Sequence, residues 1–246
     1  MKEHLALMAM IILFIFALNM ILSVIQEKLL GEITYQSILF IMAAYLFQMG
    51  LNLGFLRICL NIINNTEVNF PLLFSSYHML IPYVLATILY LAALILAASP
   101  GMLLLLSSIN IDIDNLYSSM GNIPVILSLI LMIIPAIYLS VRLQFYDYFL
   151  IDEECGIVES IKKSADISKG YVLELFILSA VLSLIVLISI IPMGLGLIFS
   201  IPLSMVAISY VYLHLKNIQL FLYMPHLPFH TEYHYYHSVT QILLNL

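Results

Sequence analysis

The sequence predicts an all-α, polytopic transmembrane bundle of six spans, and three observations carry that prediction. The chain is 63% hydrophobic and 9% charged over 246 residues, whereas a soluble domain carries roughly 25% charged residues. Six apolar runs approach the length of about 20 residues that a helix needs to cross roughly 30 Å of hydrocarbon. All lysines and arginines but one then fall on the same side of the six-span arrangement.

The first run covers residues 5–25 and is broken only by Asn19 and Ser23. It imitates a secretory signal, but the apolar core is too long and no small-x-small cleavage site follows, so an uncleaved span is expected. The next runs cover 35–57, 78–99, 123–145, 172–192 and 195–215. Only Pro192, Met193 and Gly194 separate the last two, which reads as a tight hairpin. A single helix over both, about 44 residues, would extend near 66 Å, twice what a bilayer requires.

Charge sets the expected orientation. With the N-terminus inside, Lys2, Arg57, Arg142, Lys162, Lys163, Lys169 and Lys216 lie at the cytoplasmic face and Lys28 lies outside. The segment between the third and fourth spans holds Asp112 and Asp114 and no positive residue. Positively charged loops resist translocation, so this asymmetry is what insertion imposes. The chain is thus expected as a multi-pass protein of the cell membrane with both termini cytoplasmic. Residues 1–216 form the membrane domain, and 217–246 form a histidine- and tyrosine-rich cytoplasmic tail.

Composition also excludes partners. A net charge of -6 argues against nucleic acid, which needs a basic surface. Cys59 and Cys155 fall in expected cytoplasmic segments and read as reduced thiols rather than a disulfide.

Residues 152–170 are the best-specified polar element. Asp152 can cap a helix whose first turn holds Glu153 and Glu154, where the helix dipole favours anions. Gly170 suits its C-terminal stop. Ile157, Val158, Ile161 and Ala165 recur at helical spacing, and Glu159 with Lys163 and Lys162 with Asp166 form i,i+4 pairs. The expectation is an amphipathic helix on the cytoplasmic membrane surface. Lys162, Lys163 and Lys169 would face lipid headgroups or an acidic partner protein; the plainer alternative is a connector packed under the bundle. Residues 58–77 repeat the theme more weakly, with Phe70 and Phe74 at an interfacial re-entry. The order span, arginine, surface segment, span therefore occurs around both Arg57 and Arg142, which suggests a repeated hairpin of spans 2–3 and 4–5.

The second of these segments resembles a family. Glu159-Ser160-Ile161-Lys162-Lys163-Ser164, with Ser168-Lys169-Gly170, is similar to the "EAhxxSxxhhKG" segment of a group of prokaryotic inner-membrane proteins. That group includes the membrane domain of some glycerophosphodiester phosphodiesterases and the YciC-like, largely uncharacterised proteins. Gly194-Leu195-Gly196, Ile201-Pro202-Leu203, Tyr210 and Tyr212 extend the likeness, and Gly50, Gly54, Arg57, Phe70 and Phe74 resemble its earlier half. The resemblance implies a six-helix integral membrane architecture in a prokaryotic inner membrane. It implies no catalysis, because the catalytic barrel of those phosphodiesterases is a separate soluble domain.

Sharper chemistry finds less support. The centres of the six runs hold no Asp, Glu, Lys or Arg, although coupled transporters usually bury such groups there. Gln48 and Asn52, with the prolines at 135 and 202, are the candidate lining of a groove between the hairpins. Amides in a membrane more often bond between helices. Gly50 and Gly54 form a small-xxx-small pair on the second span, read as an intrachain contact. In the tail, His230, His234 and His237 would share a face if helical and could then hold Zn²⁺, Ni²⁺ or Cu²⁺. Pro225 and Pro228 disfavour that helix, so a surface-lying tail is expected and no cofactor is assigned. No G-x-S-x-G, H-E-x-x-H or phosphate-cradling glycine loop occurs, so no catalytic residue is assigned. The leading expectation is a non-enzymatic module acting through membrane lipids or a partner protein on the cytoplasmic face; the alternative is a transporter or lipid translocator.

Overall fold

The computed structural model describes residues 2–29, 35–108, 123–191, 194 and 196–223. Among them every regular element is helical: α1 (Lys2–Leu29), α2 (Tyr35–Ile63), α3 (Leu72–Ser75), a 3-10 turn (Ser76–Met79), α4 (Leu80–Ser108), α5 (Ile123–Leu143), α6 (Tyr146–Asp152), α7 (Ile157–Ile167), α8 (Val172–Ile188) and α9 (Leu197–Tyr223). A helix satisfies its own backbone groups, the condition that hydrocarbon imposes on any chain crossing it. Long apolar side chains point outward from these helices; Leu39 and Leu96 are 70% and 74% exposed. Such an exterior suits lipid, not water.

Among the described residues five stretches are long and apolar enough to cross a membrane: Ala6–Lys28, Ser37–Ile63, Leu72–Ser107, Pro124–Asp152 and Leu197–Leu220. The expected fifth span is shorter than its hydropathy suggested. Helix α8 has 17 residues, about 26 Å at 1.5 Å per residue, and it counts as a sixth span only together with α7, from which it bends by 99°.

Two further boundaries differ from expectation. The third span does not stop at residue 99: α4 runs through Pro100 to Ser108. Breaking the helix there would expose backbone groups to lipid, whereas losing one proline N–H costs less. Gly101 follows, and its missing side chain leaves room for the backbone of Met132 on α5. Nor is 152–170 one helix. Asp152 ends α6 instead of capping α7, whose N-cap is Gly156 with no side-chain cap bond. Glu153 and Glu154 lie in the break between the two helices, and Glu154 takes a positive φ of 48°. Gly170 does end the segment as expected, at a φ of +92° that costs an L side chain strain.

The chain divides into two compact units, 1–75 with 186–246, and 76–185. The packing units thus do not coincide with the repeated hairpins read from the sequence, since spans 2 and 3 fall in different units.

In the first unit, Met8, Ile11 and Ile12 of α1 pack with Leu51, Phe55, Ile58 and Cys59 of α2 and Leu73 of α3, and Met205 and Val206 of α9 cover the cluster. Gly54 makes this possible. A Cβ there would collide with the backbone of Leu73, so the small-xxx-small position serves an intrachain approach of α3 to α2. Phe70 packs edge-on against Phe14 at 5.3 Å and against Phe74 at 6.2 Å.

In the second unit, α4 and α5 form the most extensive helix pair, and α6 and α7 fold back against α4. Met79, Ala86, Tyr146 and Leu150 form one of its core clusters, joined by Tyr83, Tyr90, Ile157 and Ile161.

Candidate functional site

The second unit holds the most organised polar structure among the described residues, at the elbow where α5 gives way to α6 and α7. Helix α5 ends at Leu143, leaving the last carbonyls without helical partners, and α6 begins at Tyr146, where the first amides also lack partners within their own helix. Ser164, on the buried face of α7, serves both ends. Its hydroxyl donates to the Arg142 carbonyl at 3.2 Å and accepts from the Phe145 amide at 3.0 Å. Arg142 returns the contact: its guanidinium Nη2 donates to the Ala165 carbonyl at 2.7 Å, while its charge lies 5.9 Å from the centre of the Tyr138 ring. Two residues further on, Gln144 Oε1 accepts from the Ser179 hydroxyl of α8 at 3.2 Å.

The buried face of α7 is therefore not the expected apolar stripe alone. Ser160, Ser164 and Ser168 are fully buried at i, i+4 and i+8, whereas Val158 of that stripe is 54% exposed. Ile157 and Ile161 do pack inward, against the Tyr146 cluster. Small side chains let the α7 backbone come close enough for Arg142 to reach it, the role such residues play between membrane helices. Ser160 and Ser168 satisfy their hydroxyls on the Ile157 and Ser164 carbonyls, at 2.8 and 2.9 Å.

The three lysines singled out by sequence have different environments. Lys163 bridges two carboxylates, Glu153 Oε2 and Glu159 Oε1, each at 2.7 Å. Hydrogen bonds to Glu153 and then Glu159 raise its pKa, and the same contact holds the Glu159 carboxyl below its ordinary 4.5. Its charge is neutralised within the elbow. Lys162 and Lys169 stand exposed, and no Lys162–Asp166 ion pair forms among the described residues. His78 Nε2 lies 3.6 Å from Glu154 Oε1, bringing the start of the unit to the α6–α7 break.

Beside the elbow lies a cluster that sequence reasoning missed. Tyr146 stacks on Tyr90 at 5.1 Å and on Tyr83 at 6.3 Å, and its hydroxyl meets Thr87 Oγ1 at 3.0 Å. Tyr83, Thr87 and Tyr90 share one face of α4, a spacing of 4 and 3 that was readable. Asp147 follows, its carboxylate accepting from the Tyr148 amide at 3.0 Å.

The remaining candidates lie elsewhere. Gln48 lines a cavity of about 210 Å³ in the first unit with Asn19, Leu22, Ser23, Gln26, Ala44 and Tyr45. Asn52 is exposed on α2 and is not part of that lining. Pro135 sits inside α5 and Pro202 inside α9. Cys59 is buried and unpaired; Cys155, also unpaired, donates to the Phe149 carbonyl at 3.4 Å. Among the described residues no group of three metal-binding side chains converges. His230, His234 and His237, and Asp112 and Asp114, lie outside the described residues.

The family model of DUF975, described as a protein of unknown function, matches residues 2–219, and the chain belongs to that family. No curated protein and no solved structure matches it.

Proposed function

We propose that this chain is a non-enzymatic membrane module that works through a contact on the exposed face of α7. One observation carries the reading: α7 is fixed from behind by Arg142 and Ser164, while Val158, Lys162, Asp166 and Lys169 stand exposed. A rigid surface presented this way loses little conformational entropy on binding.

Magnitudes favour a partner protein over anionic headgroups. Each lysine near an anionic surface contributes about 1 kcal/mol. With Lys163 neutralised by Glu153 and Glu159, Lys162 and Lys169 together supply about 2 kcal/mol, opposed by Asp166. The mixed pattern suits a protein surface of complementary charge with an apolar seat for Val158.

The setting of this contact follows from charge. Seven cations on one side of the spans favour a cytoplasmic location for α7 and both termini, in the inner membrane of a prokaryote. The similarity of 159–170 to the membrane domain of glycerophosphodiester phosphodiesterases and the YciC-like proteins supports the same setting.

The test is mass spectrometry of what co-purifies in native lipid discs. Lys162→Gln with Lys169→Gln should release a stoichiometric protein and leave the Glu153–Lys163–Glu159 bridge in place. An unchanged set of co-purifying proteins removes the reading.

A further inference from the structure

The cavity between α1 and α2 has a lining at odds with its surroundings. Asn19, Ser23 and Gln26 recur at intervals of 4 and 3 along one face of α1, and Gln48 and Tyr45 oppose them from α2. Both helices lie in stretches apolar enough to cross a membrane, Ala6–Lys28 and Ser37–Ile63. Gln48 lies near the centre of its stretch and Gln26 near the end of its own, so the cavity joins the middle of α2 to the last turns of α1.

The amides are not explained by packing between the helices. Asn19 Nδ2 donates back to the Ile15 carbonyl of its own helix at 2.9 Å. Gln26 and Gln48 have no hydrogen-bond partner among the described residues. In hydrocarbon an unpaired primary amide is costly, and a hydrogen-bonding ligand that pairs it removes that cost. The lining offers both donors and acceptors and carries no Asp, Glu, Lys or Arg. It therefore matches an uncharged hydrogen-bonding group and gives no counter-charge to a phosphate or a carboxylate.

Size and access narrow the class. About 210 Å³ holds roughly seven water-sized groups at about 30 Å³ each, enough for a hydroxyl-bearing ester fragment. Ser23 and Tyr45 on the rim are exposed, and Val24 and Met42 beside them face outward, so the ligand's apolar chain can stay in lipid. We infer that this cavity binds the uncharged, hydroxyl- and ester-bearing end of a neutral lipid, with Gln26 and Gln48 as its principal hydrogen-bonding residues. The site is separate from the α7 face, and either can fail alone.

A diazirine-bearing monoacylglycerol in phosphatidylcholine discs is the probe. Photolabel should concentrate on residues 19–26 and 44–48, and unlabelled monoacylglycerol should displace it while free glycerol does not. Gln26→Leu with Gln48→Leu removes the partners and retains similar volume. It should lower labelling at least about ten-fold, the factor that two lost hydrogen bonds of ordinary net strength give, with thermal unfolding unchanged or improved. Label spread evenly over the outward faces of all spans, or unchanged in the double variant, overturns the inference, and wild-type competition decides it even if that variant misfolds. Displacement by glycerol as readily as by the lipid assigns the site to a soluble polyol and overturns the lipid. Cross-links joining two copies through these residues show a helix contact in its place.

Discussion

Arg142 and Ser164 hold each other's helix ends: the Ser164 hydroxyl donates to the Arg142 carbonyl at 3.2 Å, and the Arg142 guanidinium donates to the carbonyl of Ala165 at 2.7 Å. The exchange ties the end of α5 to the end of α7 where neither helix can satisfy itself. Ser164→Ala should lower stability by about 1–3 kcal/mol, the cost of removing a buried hydrogen-bonding group, because its bonds to the Phe145 amide and the Arg142 carbonyl are both lost. Thermal unfolding in detergent measures it. A change within error would show that water replaces the hydroxyl.

Arg142 carries the charged half of this tie. Arg142→Met removes a charge-assisted bond worth about 1.5–3 kcal/mol, and Arg142→Lys should not restore it, because an ammonium lacks the planar reach of a guanidinium. Hydrogen exchange of the α7 amides reads this directly: they should become less protected in both variants while those of α2 stay unchanged.

Gly54 faces the Leu73 backbone with no room for a Cβ. Gly54→Ala should cost about 1–3 kcal/mol, the range for overpacking a filled core, or abolish expression of folded protein. Gly156→Ala meets nothing within 4 Å and should be tolerated. Fluorescence size-exclusion profiles of the two variants make the comparison.

Lys163 predicts a pH signature. The Glu159 carboxyl is held below its ordinary 4.5 by Lys163. A depressed carboxyl contributes stability that is present above the unfolded value and lost as pH falls through the folded one. Lys163 is raised by Glu153 and Glu159, so it stays charged at neutral pH and its contribution is fully present below the unfolded value. The difference in unfolding temperature between wild type and Lys163→Met should therefore be constant from pH 6 to 9 and shrink on acidification below 4.5. A difference that persists unchanged at acid pH would assign the effect to packing.

Much of this architecture was legible because lipid leaves a chain few choices: a long apolar run must be a helix, and α1, α2, α5 and α9 follow the expected runs. What was not legible depended on local competition. The third run was expected over 78–99, yet backbone satisfaction in hydrocarbon outweighs one missing N–H at Pro100, and α4 continues to Ser108. Asp152 read as a cap, yet it closes α6, and Glu153 and Glu154 fill a break that no periodicity marks. A search for apolar spacing found Ile157 and Ile161 and passed over Ser160, Ser164 and Ser168, because small polar residues bury here for close approach instead of hydrophobicity. Lys163 was visible as an i,i+4 partner of Glu159, but its second carboxylate, Glu153, lies ten residues away in sequence and is brought close only by the turn.

The exposed face of α7 as a contact surface is tested most directly by a photo-crosslinking amino acid placed at Val158, on intact cells. The account predicts a discrete protein adduct of defined mass, lost when Lys162 and Lys169 are both changed to Gln. Adducts to lipid alone, or a protein adduct indifferent to the two lysines, would contradict it.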